Sequence, residues 1–252
     1  MVESSRLAVI LAEDDPATSI LARINLEKLG LKVDLAHDGA EAFQKWRAGG
    51  HKAVLLDFNM PRMSGLDAAR AIRQEEKEKG HGHTRIILLT AKPLDHLESL
   101  QTMGVVDFMI PKPVNYADLL TKLEDLLPGR AATAAIPSSS ADAPLDIDEL
   151  AQSVGMDGLA DILRIFFTQA QKYIEQMEQA LGLEDAEKIS QIAHKLKGSS
   201  AQFTAHGLVA PSEFLQRNCA AGDLTGAGQK LEILKKELEK VQSFAALKVS
   251  GL

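Results

Sequence analysis

Short apolar runs alternate with longer amphipathic stretches through the first half of the chain. The apolar runs, each the length of a buried strand, are Leu7–Ala12, Leu31–Ala36, Ala53–Leu56, Arg85–Thr90 and Val105–Ile110. Between them lie stretches with helical spacing near 16–29, 39–48, 65–79, 94–102 and 115–127. Five strands that alternate with five helices predict an α/β domain, a doubly wound parallel sheet covered by helices on both faces.

This pattern breaks at Pro128–Pro144, which reads PGRAATAAIPSSSADAP. Alanine, serine and proline dominate this segment, and a stretch with so few large apolar residues cannot build a core. We therefore predict a flexible linker at 128–144, which joins a first domain at 1–127 to a second domain at 145–252.

The second domain has only helical periodicity, because its apolar residues recur three and four positions apart and strand-type alternation is missing. Helices are predicted near 146–153, 157–181, 184–203, 206–220 and 224–247. Four of them are long and joined by short loops, which is typical of an antiparallel four-helix bundle. The chain as a whole is thus expected to be α/β followed by all-α.

Polar residues follow four of the predicted strands, where their carboxyl ends meet at one edge of the sheet. They are Glu13, Asp14 and Asp15 after the first strand, Asp57 at the end of the third, Thr90 at the end of the fourth, and Lys112 after the fifth. Any one of them alone would be an ordinary solvated side chain. Together, the carboxylates would repel one another unless a cation joined them, and a hard ion such as Mg²⁺ prefers such oxygen ligands.

Three segments at this edge resemble the signatures of response-regulator receiver domains: DFNMPRMSG at 57–65, LTA at 89–91 and PKP at 111–113. The resemblance covers roughly residues 6–127 and implies a five-stranded flavodoxin-like fold. It implies that Asp57 accepts a phosphoryl group, and that Glu13, Asp14, Asp57 and the backbone carbonyl of Asn59 hold Mg²⁺, with Asp15 a weaker candidate. It also implies that Lys112 binds the phosphoryl oxygens, that Thr90 is the switch hydroxyl, and that Lys112–Pro113 is a cis peptide.

Two features bear on this assignment. Receivers usually place an aromatic switch residue three positions before the lysine, whereas Met109 stands there with Phe108 beside it, and the sequence leaves open which of them takes that position. Haloacid-dehalogenase-type phosphatases also use a strand-end aspartate, but they need a second aspartate two residues later. Asn59 stands at that place, which argues against a phosphatase.

One histidine of the second domain lies off the core face of its predicted helix. Buried positions are expected for Ile189, Ala193, Leu196, Ser200 and Phe203, which share one face of segment 185–203. His194 lies roughly 140° from that face at the helical advance per residue, so it should face solvent. An exposed histidine alone is usually inert. Here Gly198, one turn on, leaves the approach to the imidazole clear, and Lys197 can bring a cation near a phosphoryl group on His194.

The segment AHKLKGSS at 193–200 resembles the signature of histidine phosphotransfer (Hpt) domains, and a looser similarity extends from Leu145 to Val241. This resemblance implies that His194 carries the phosphoryl group as a phosphoramidate. With the receiver, it implies a two-component phosphorelay whose partners are a sensor histidine kinase, another receiver or another Hpt protein.

Composition narrows the remaining classes of function. A net charge of −7 argues against a nucleic-acid partner, and no apolar run has the length of a membrane span. The single cysteine, Cys219, can form no intrachain disulfide, so a cytoplasmic location is expected. No glycine-rich nucleotide loop is recognisable, so we expect no ATP-dependent kinase activity.

Two alternatives stay open. The chain could be the carboxyl-terminal piece of a hybrid sensor kinase, although the methionine before the first strand argues against this. The helical domain could instead be a dimerisation or partner-binding module.

Overall fold

The computed structural model describes residues 6–80, 82–91, 101, 103–126, 143–249 and 251–252. They form two compact units, one on each side of the linker segment. Residues 128–142 of the predicted linker lie outside the described residues, as does the helix predicted near 94–102 except for Gln101.

The first unit contains a five-stranded parallel sheet with the strand order β2-β1-β3-β4-β5. The strands are β1 (Ala8–Ala12), β2 (Lys32–Ala36), β3 (Ala53–Asp57), β4 (Arg85–Thr90) and β5 (Phe108–Pro111). The helices are α1 (Pro16–Lys28), α2 (Gly39–Ala48), α3 (Gly65–Lys79) and α4 (Tyr116–Thr121), followed by a 3-10 turn at Glu124–Leu126. The doubly wound α/β prediction is confirmed.

Helices cover both faces of this sheet. Alternate strand residues point to opposite faces, so each face has its own apolar core. One core joins side chains of α2 and α3 to Ile10, Val54, Leu56, Ile86 and Leu88. The other joins α1 and α4 to Val9, Leu11, Leu55, Ile87 and Leu89. All ten strand residues are at most 3% exposed, which explains why these strands are continuous apolar runs.

The fifth strand begins three residues later than the sequence predicts. Strand β5 starts at Phe108 rather than Val105. Just before it, the carboxylate of Asp107 accepts hydrogen bonds from Arg73 at 2.6 Å and from the backbone N–H of Ile86 at 2.7 Å. The residues before it form a turn at Gly104, which has a φ of 69°.

The second unit is a set of packed helices. They are α5 (Ile147–Val154), α6 (Met156–Gly182), α7 (Ala186–Gln202), α8 (His206–Ala220) and α9 (Ala227–Lys248). The last four pack in sequence order, α9 also packs on α6, and the connections are short, as predicted for a four-helix bundle. Phe166 of α6 stacks on Phe203 at the end of α7 with ring centroids 4.5 Å apart, and both side chains are buried.

Candidate functional site

The carboxyl ends of the strands carry the polar residues that the sequence predicts there. Glu13 directly follows β1, and its backbone N–H donates to the carbonyl of Ala36 at 3.0 Å, which joins it to the end of β2. Asp57 is the last residue of β3. The backbone N–H of Lys112 donates to the carbonyl of Thr90 at 2.8 Å, so the ends of β4 and β5 are also joined. The parallel register thus gathers these residues at one edge of the sheet.

Three carboxyl groups form a cluster at this edge. Oxygen atoms from Glu13, Asp14 and Asp57 lie within 4.8 Å of one another. Glu13 is 3% exposed and Asp57 is 7% exposed, while Asp14 is partly exposed. Asp15 is not a member of this cluster, and its backbone N–H donates to Glu13 Oε1 at 3.3 Å. The structure therefore groups the same three carboxyls that the sequence selects and leaves Asp15 aside.

Lys112 joins two of these carboxyls. Its Nζ lies 2.6 Å from Glu13 Oε2 and 3.0 Å from Asp57 Oδ2. Burial raises the pKa of Glu13 to about 8, although the lysine opposes this, and burial likewise raises the pKa of Asp57. Burial by itself would lower the pKa of Lys112, but the two carboxylates outweigh it and raise that pKa above its usual value. The edge is thus a buried, charge-rich site that would accommodate a further cation.

The loop after Asp57 lies against its backbone. The N–H of Gly65 donates to the carbonyl of Phe58 at 3.3 Å, and the N–H of Asn59 donates to Asp57 Oδ1 at 3.4 Å. A Cβ at position 65 would lie 2.1 Å from the carbonyl oxygen of Asp57, so only glycine fits there. Ser64 caps α3 by accepting from the N–H of Asp67 at 3.1 Å. The sequence supplies Gly65 as part of a motif, but its close approach to Asp57 appears only in the fold.

In the helical unit, the predicted core face of α7 is confirmed. Ile189, Ala193, Leu196, Ser200 and Phe203 are all fully buried. His194 lies off this face and is partly exposed. The side-chain amide of Gln216 on α8 lies 2.9 Å from His194 Nδ1, and the backbone carbonyl of Gln216 accepts from Ser190 Oγ at 2.8 Å. One ring nitrogen is therefore engaged from a neighbouring helix.

Two family models match the chain. The model of the response regulator receiver domain matches residues 9–124, and the model of the Hpt domain matches residues 161–244. The chain is a receiver domain followed by an Hpt domain. Together these domains imply a phosphorelay, and neither model is that of an ATP-binding kinase domain.

Curated relatives match most of the chain. The aerobic respiration control sensor protein ArcB of Escherichia coli K12 is 28% identical over 238 residues, which are 92% of this chain and 30% of ArcB. The virulence sensor protein BvgS of Bordetella pertussis is 27% identical over 217 residues, which are 81% of this chain and 17% of BvgS. The chain thus spans less than a third of the length of either sensor protein.

The chain is also similar to solved structures over about half of its length. The response regulator protein TrrA from Thermotoga maritima, in complex with Mg²⁺-BeF, is 32% identical. The match covers 48% of this chain and 99% of that chain, with a TM-score of 0.42.

The acidic edge of the receiver domain fits a magnesium ion. Glu13, Asp14 and Asp57 offer hard oxygen ligands within a span that one ion can bridge, and Mg²⁺ takes few protein carboxylates and keeps waters or phosphate oxygens. Asn59 lies in the loop that contacts Asp57 Oδ1 through its N–H. Thr90 is fully buried at the end of β4, and the Lys112–Pro113 peptide is cis, as predicted.

The position three residues before Lys112 belongs to Met109, and strand alternation separates it from Phe108. Met109 pairs with Leu88 in the sheet and packs, 7% exposed, in the core on the α2 and α3 face. Phe108 packs on the opposite face, where the cations of Arg85 and Lys122 lie 5.3 and 5.1 Å from its ring centroid. Phe108 therefore cannot occupy the usual aromatic position of the receiver.

The surroundings of His194 in the Hpt domain are open where the sequence predicts an approach. Beyond the adjacent backbone of its own helix, a Cβ added at Gly198 would meet nothing within 4 Å, so only a longer side chain could crowd the imidazole. Lys197 is partly exposed, one turn along α7 from the histidine. Sequence reasoning missed Gln216, because it lies 22 residues from His194 and only the packing of α7 on α8 brings the two together.

Across the described residues, every helix is too short or too polar to span a bilayer.

Proposed function

We propose that this chain passes a phosphoryl group between Asp57 of its receiver domain, His194 of its Hpt domain, and partner proteins. The observation that carries the proposal is the setting of Asp57, whose carboxylate lies 3.0 Å from the ammonium of Lys112 and within 4.8 Å of carboxyl oxygens of Glu13 and Asp14. We also propose the domain limits 1–127 and 145–252, with a linker at 128–144 of which only residues 143–144 are described.

At the receiver, an oxygen of Asp57 attacks the phosphorus of a phosphohistidine on a partner. The new P–O bond forms as the P–N bond breaks, and the departing imidazole takes up a proton. Lys112 Nζ, 3.0 Å from Asp57 Oδ2, is placed to neutralise charge on the transferred oxygens, while the hydroxyl of Thr90 would donate to one of them. The product is an aspartyl acyl phosphate.

Magnesium would be held by Glu13, Asp14, Asp57 and the carbonyl of Asn59. When bound, it would neutralise the phosphoryl oxygens as charge develops on them. Lys112 is paired with Glu13 at 2.6 Å, so metal binding to that carboxylate must compete with the ammonium. The receiver thus supplies both the oxygen ligands of the metal and Lys112, the cation that is paired with Asp57.

At the Hpt domain, we assign Nε2 of His194 as the nucleophile because Gln216 engages Nδ1. A nucleophilic Nε2 requires the proton on Nδ1, so the amide oxygen of Gln216 should accept from that N–H. Rotating the side-chain amide of Gln216 by half a turn places Oε1 beside Nδ1. The rotation also gives Oε1 a hydrogen-bond donor, which this buried atom lacks in the present orientation. Attack forms a P–N bond and releases the aspartate carboxylate.

The proposed partners are a sensor histidine kinase and other receivers or Hpt proteins of a cytoplasmic relay. We propose no nucleic-acid partner and no membrane insertion. The chain would act as a phosphoryl carrier and not as an ATP-dependent kinase.

The test is site-resolved phosphorylation. Acetyl phosphate and Mg²⁺ would be added to the wild-type chain and to the variants Asp57→Asn and His194→Gln, followed by mapping of the modified residues. We expect Asp57 to be labelled in the wild type and in His194→Gln, and no receiver label in Asp57→Asn. Labelling that survives in Asp57→Asn at another receiver carboxyl would refute the acceptor assignment.

A second proposal is favoured by the similarity to ArcB and BvgS over most of the chain. In this second proposal, the same two domains are part of a hybrid sensor kinase. The sequence of the parent open reading frame would decide between this proposal and the first.

A third proposal is that the helical domain is a partner-binding or dimerisation module. In that case His194→Gln would leave signalling intact.

A further inference from the structure

The loop between Asp57 and α3 contacts the turn between β2 and α2, whose residues are not members of the acidic cluster. Its ends are joined by the hydrogen bond between the Phe58 carbonyl and the Gly65 N–H, which leaves residues 59–64 projecting from the sheet edge. Asn59, whose carbonyl we assign to the metal, lies at the start of this segment, and its backbone N–H donates to Asp57 Oδ1 at 3.4 Å. The position of this carbonyl therefore depends on how the segment is held.

The neighbouring turn between β2 and α2 carries a buried carboxylate that is directed at this loop. Asp38 is fully buried, and its Oδ1 caps α2 by accepting from the N–H of Glu41 at 2.8 Å. Its Oδ2 forms an ion pair with the guanidinium of Arg62, in the middle of the loop. One buried side chain thus links the start of α2 to the loop after Asp57.

Arg62 has a backbone conformation that few residues adopt. Its φ is 64°, in the left-handed region that favours glycine, and its side chain is 73% exposed apart from the contact with Asp38. A strained residue persists only where its surroundings hold it. The buried carboxylate of Asp38 supplies such a hold.

A backbone contact reinforces this ion pair. The N–H of Gly39 donates to the carbonyl of Met63 at 3.0 Å. A Cβ at Gly39 would lie 2.6 Å from that oxygen and 2.8 Å from the carbonyl oxygen of Ser64. The turn and the loop can approach this closely only because residue 39 is glycine.

We propose that Asp38, Gly39 and Arg62 form a clamp that positions the Asn59 carbonyl and so sets the affinity of the receiver for Mg²⁺. The clamp rests on the magnesium site of the proposed function. Its members are positioning residues, since none belongs to the cluster of Glu13, Asp14 and Asp57. They act by holding residues 59–64 in the conformation that directs this carbonyl toward the carboxyl groups.

Charge alone predicts a different outcome from the clamp. Removing the cation of Arg62 would make the site more negative and strengthen Mg²⁺ binding, whereas removing the anion of Asp38 would weaken it. The clamp predicts that both changes weaken binding. The two single variants therefore separate positioning from long-range electrostatics.

The experiment is calorimetric titration of the full chain with magnesium chloride. Asp38→Asn keeps an oxygen to cap α2 but removes the charge, and Arg62→Gly keeps the left-handed backbone but removes the guanidinium. The double variant carries both changes. Arg70→Ala, which removes an equal charge from an exposed pair with Asp67 on α3, is the matched control.

We expect each single variant to bind Mg²⁺ roughly tenfold more weakly, in the range seen when a metal ligand loses the residue that orients it. The double variant should bind Mg²⁺ no more weakly than the single variants, because each of the two substitutions removes the same contact. The amide signal of Asn59 should shift in both singles and stay in place in Arg70→Ala.

The proposal is overturned if Arg62→Gly binds as tightly as the wild type or more tightly, or if the effects of the two changes add. Thermal unfolding of each variant in the absence of Mg²⁺ identifies any loss of the fold, and the Asn59 signal then reports on the loop directly. Failure of the wild type to bind Mg²⁺ would instead refute the magnesium site of the proposed function.

Discussion

Replacing Gly65 with alanine should displace Asp57 and destabilise the receiver domain. A Cβ at this position would lie 2.1 Å from the carbonyl oxygen of Asp57 and 2.9 Å from its carbonyl carbon. Both atoms are backbone, so no side-chain rotation can relieve the overlap. The start of α3 must therefore move away from the end of β3.

The size of the effect follows from the overlap. The contact is more than 1 Å shorter than an optimal separation of about 3.5 Å. Overpacking of this kind costs about 3 kcal/mol, and the better helix preference of alanine returns about 1 kcal/mol. We expect a net loss of about 2 kcal/mol in the free energy of unfolding, with a roughly hundredfold slower phosphorylation of Asp57 if its carboxylate moves by about 1 Å.

Urea unfolding followed by tryptophan fluorescence measures the first quantity. Trp46 is the only tryptophan of the chain, and it is buried in the receiver domain, with its indole N–H donating to Thr84 Oγ1 at 2.8 Å. Its signal therefore reports on this domain alone. A loss of about 2 kcal/mol should lower the urea midpoint by about 1 M.

Gly82→Ala is the matched control, because a Cβ at position 82 would meet nothing within 4 Å. It should leave the midpoint unchanged or raise it slightly. If Gly65→Ala unfolds at the wild-type midpoint and phosphorylates at the wild-type rate, the close approach of α3 to Asp57 does not constrain the acceptor.

Further predictions concern the two phosphoryl sites. The pKa of Glu13 is about 8 without metal, so its carboxyl group must lose a proton when Mg²⁺ binds. The affinity for Mg²⁺ should therefore fall by up to about tenfold for each pH unit below 8 and level off above pH 8, which calorimetry between pH 6.5 and 9 measures. Lys112→Met should slow phosphorylation of Asp57 by about a hundredfold in acetyl phosphate assays, whereas an unchanged rate would exclude the lysine from transfer. Gln216→Leu should slow phosphorylation of His194 by about fivefold to tenfold and shift its imidazole nitrogen signals toward the other tautomer, while unchanged signals would contradict an orienting role.

Much of the fold of the receiver could be predicted because buried parallel strands have a distinctive sequence pattern. The near-continuous apolar runs identify the strands, and parallel topology then requires Glu13, Asp57 and Lys112 to converge at one edge. The core face of α7 was predictable for a similar reason, since helical periodicity assigns Leu196 and Phe203 to the interior.

The contacts that complete each site were not predictable, because they join residues far apart in the sequence. The position of Gln216 beside His194 depends on how α8 lies against α7, which periodicity does not specify. The pairing of Arg62 with Asp38 depends in the same way on how two loops meet. Strand β5 starts three residues later than the apolar pattern predicts because the chain first turns at Gly104, where φ is 69°.

Transfer between two variant chains tests the central claim most directly. His194→Gln would be phosphorylated with acetyl phosphate, freed of the reagent, and mixed with isotopically labelled Asp57→Asn, which keeps His194 but lacks the acceptor aspartate. We predict that the first chain loses its acyl phosphate while the second gains a base-stable, acid-labile phosphoramidate at His194. If the acyl phosphate of the first chain only hydrolyses and His194 of the second stays unmodified, phosphoryl exchange between these two residues is contradicted.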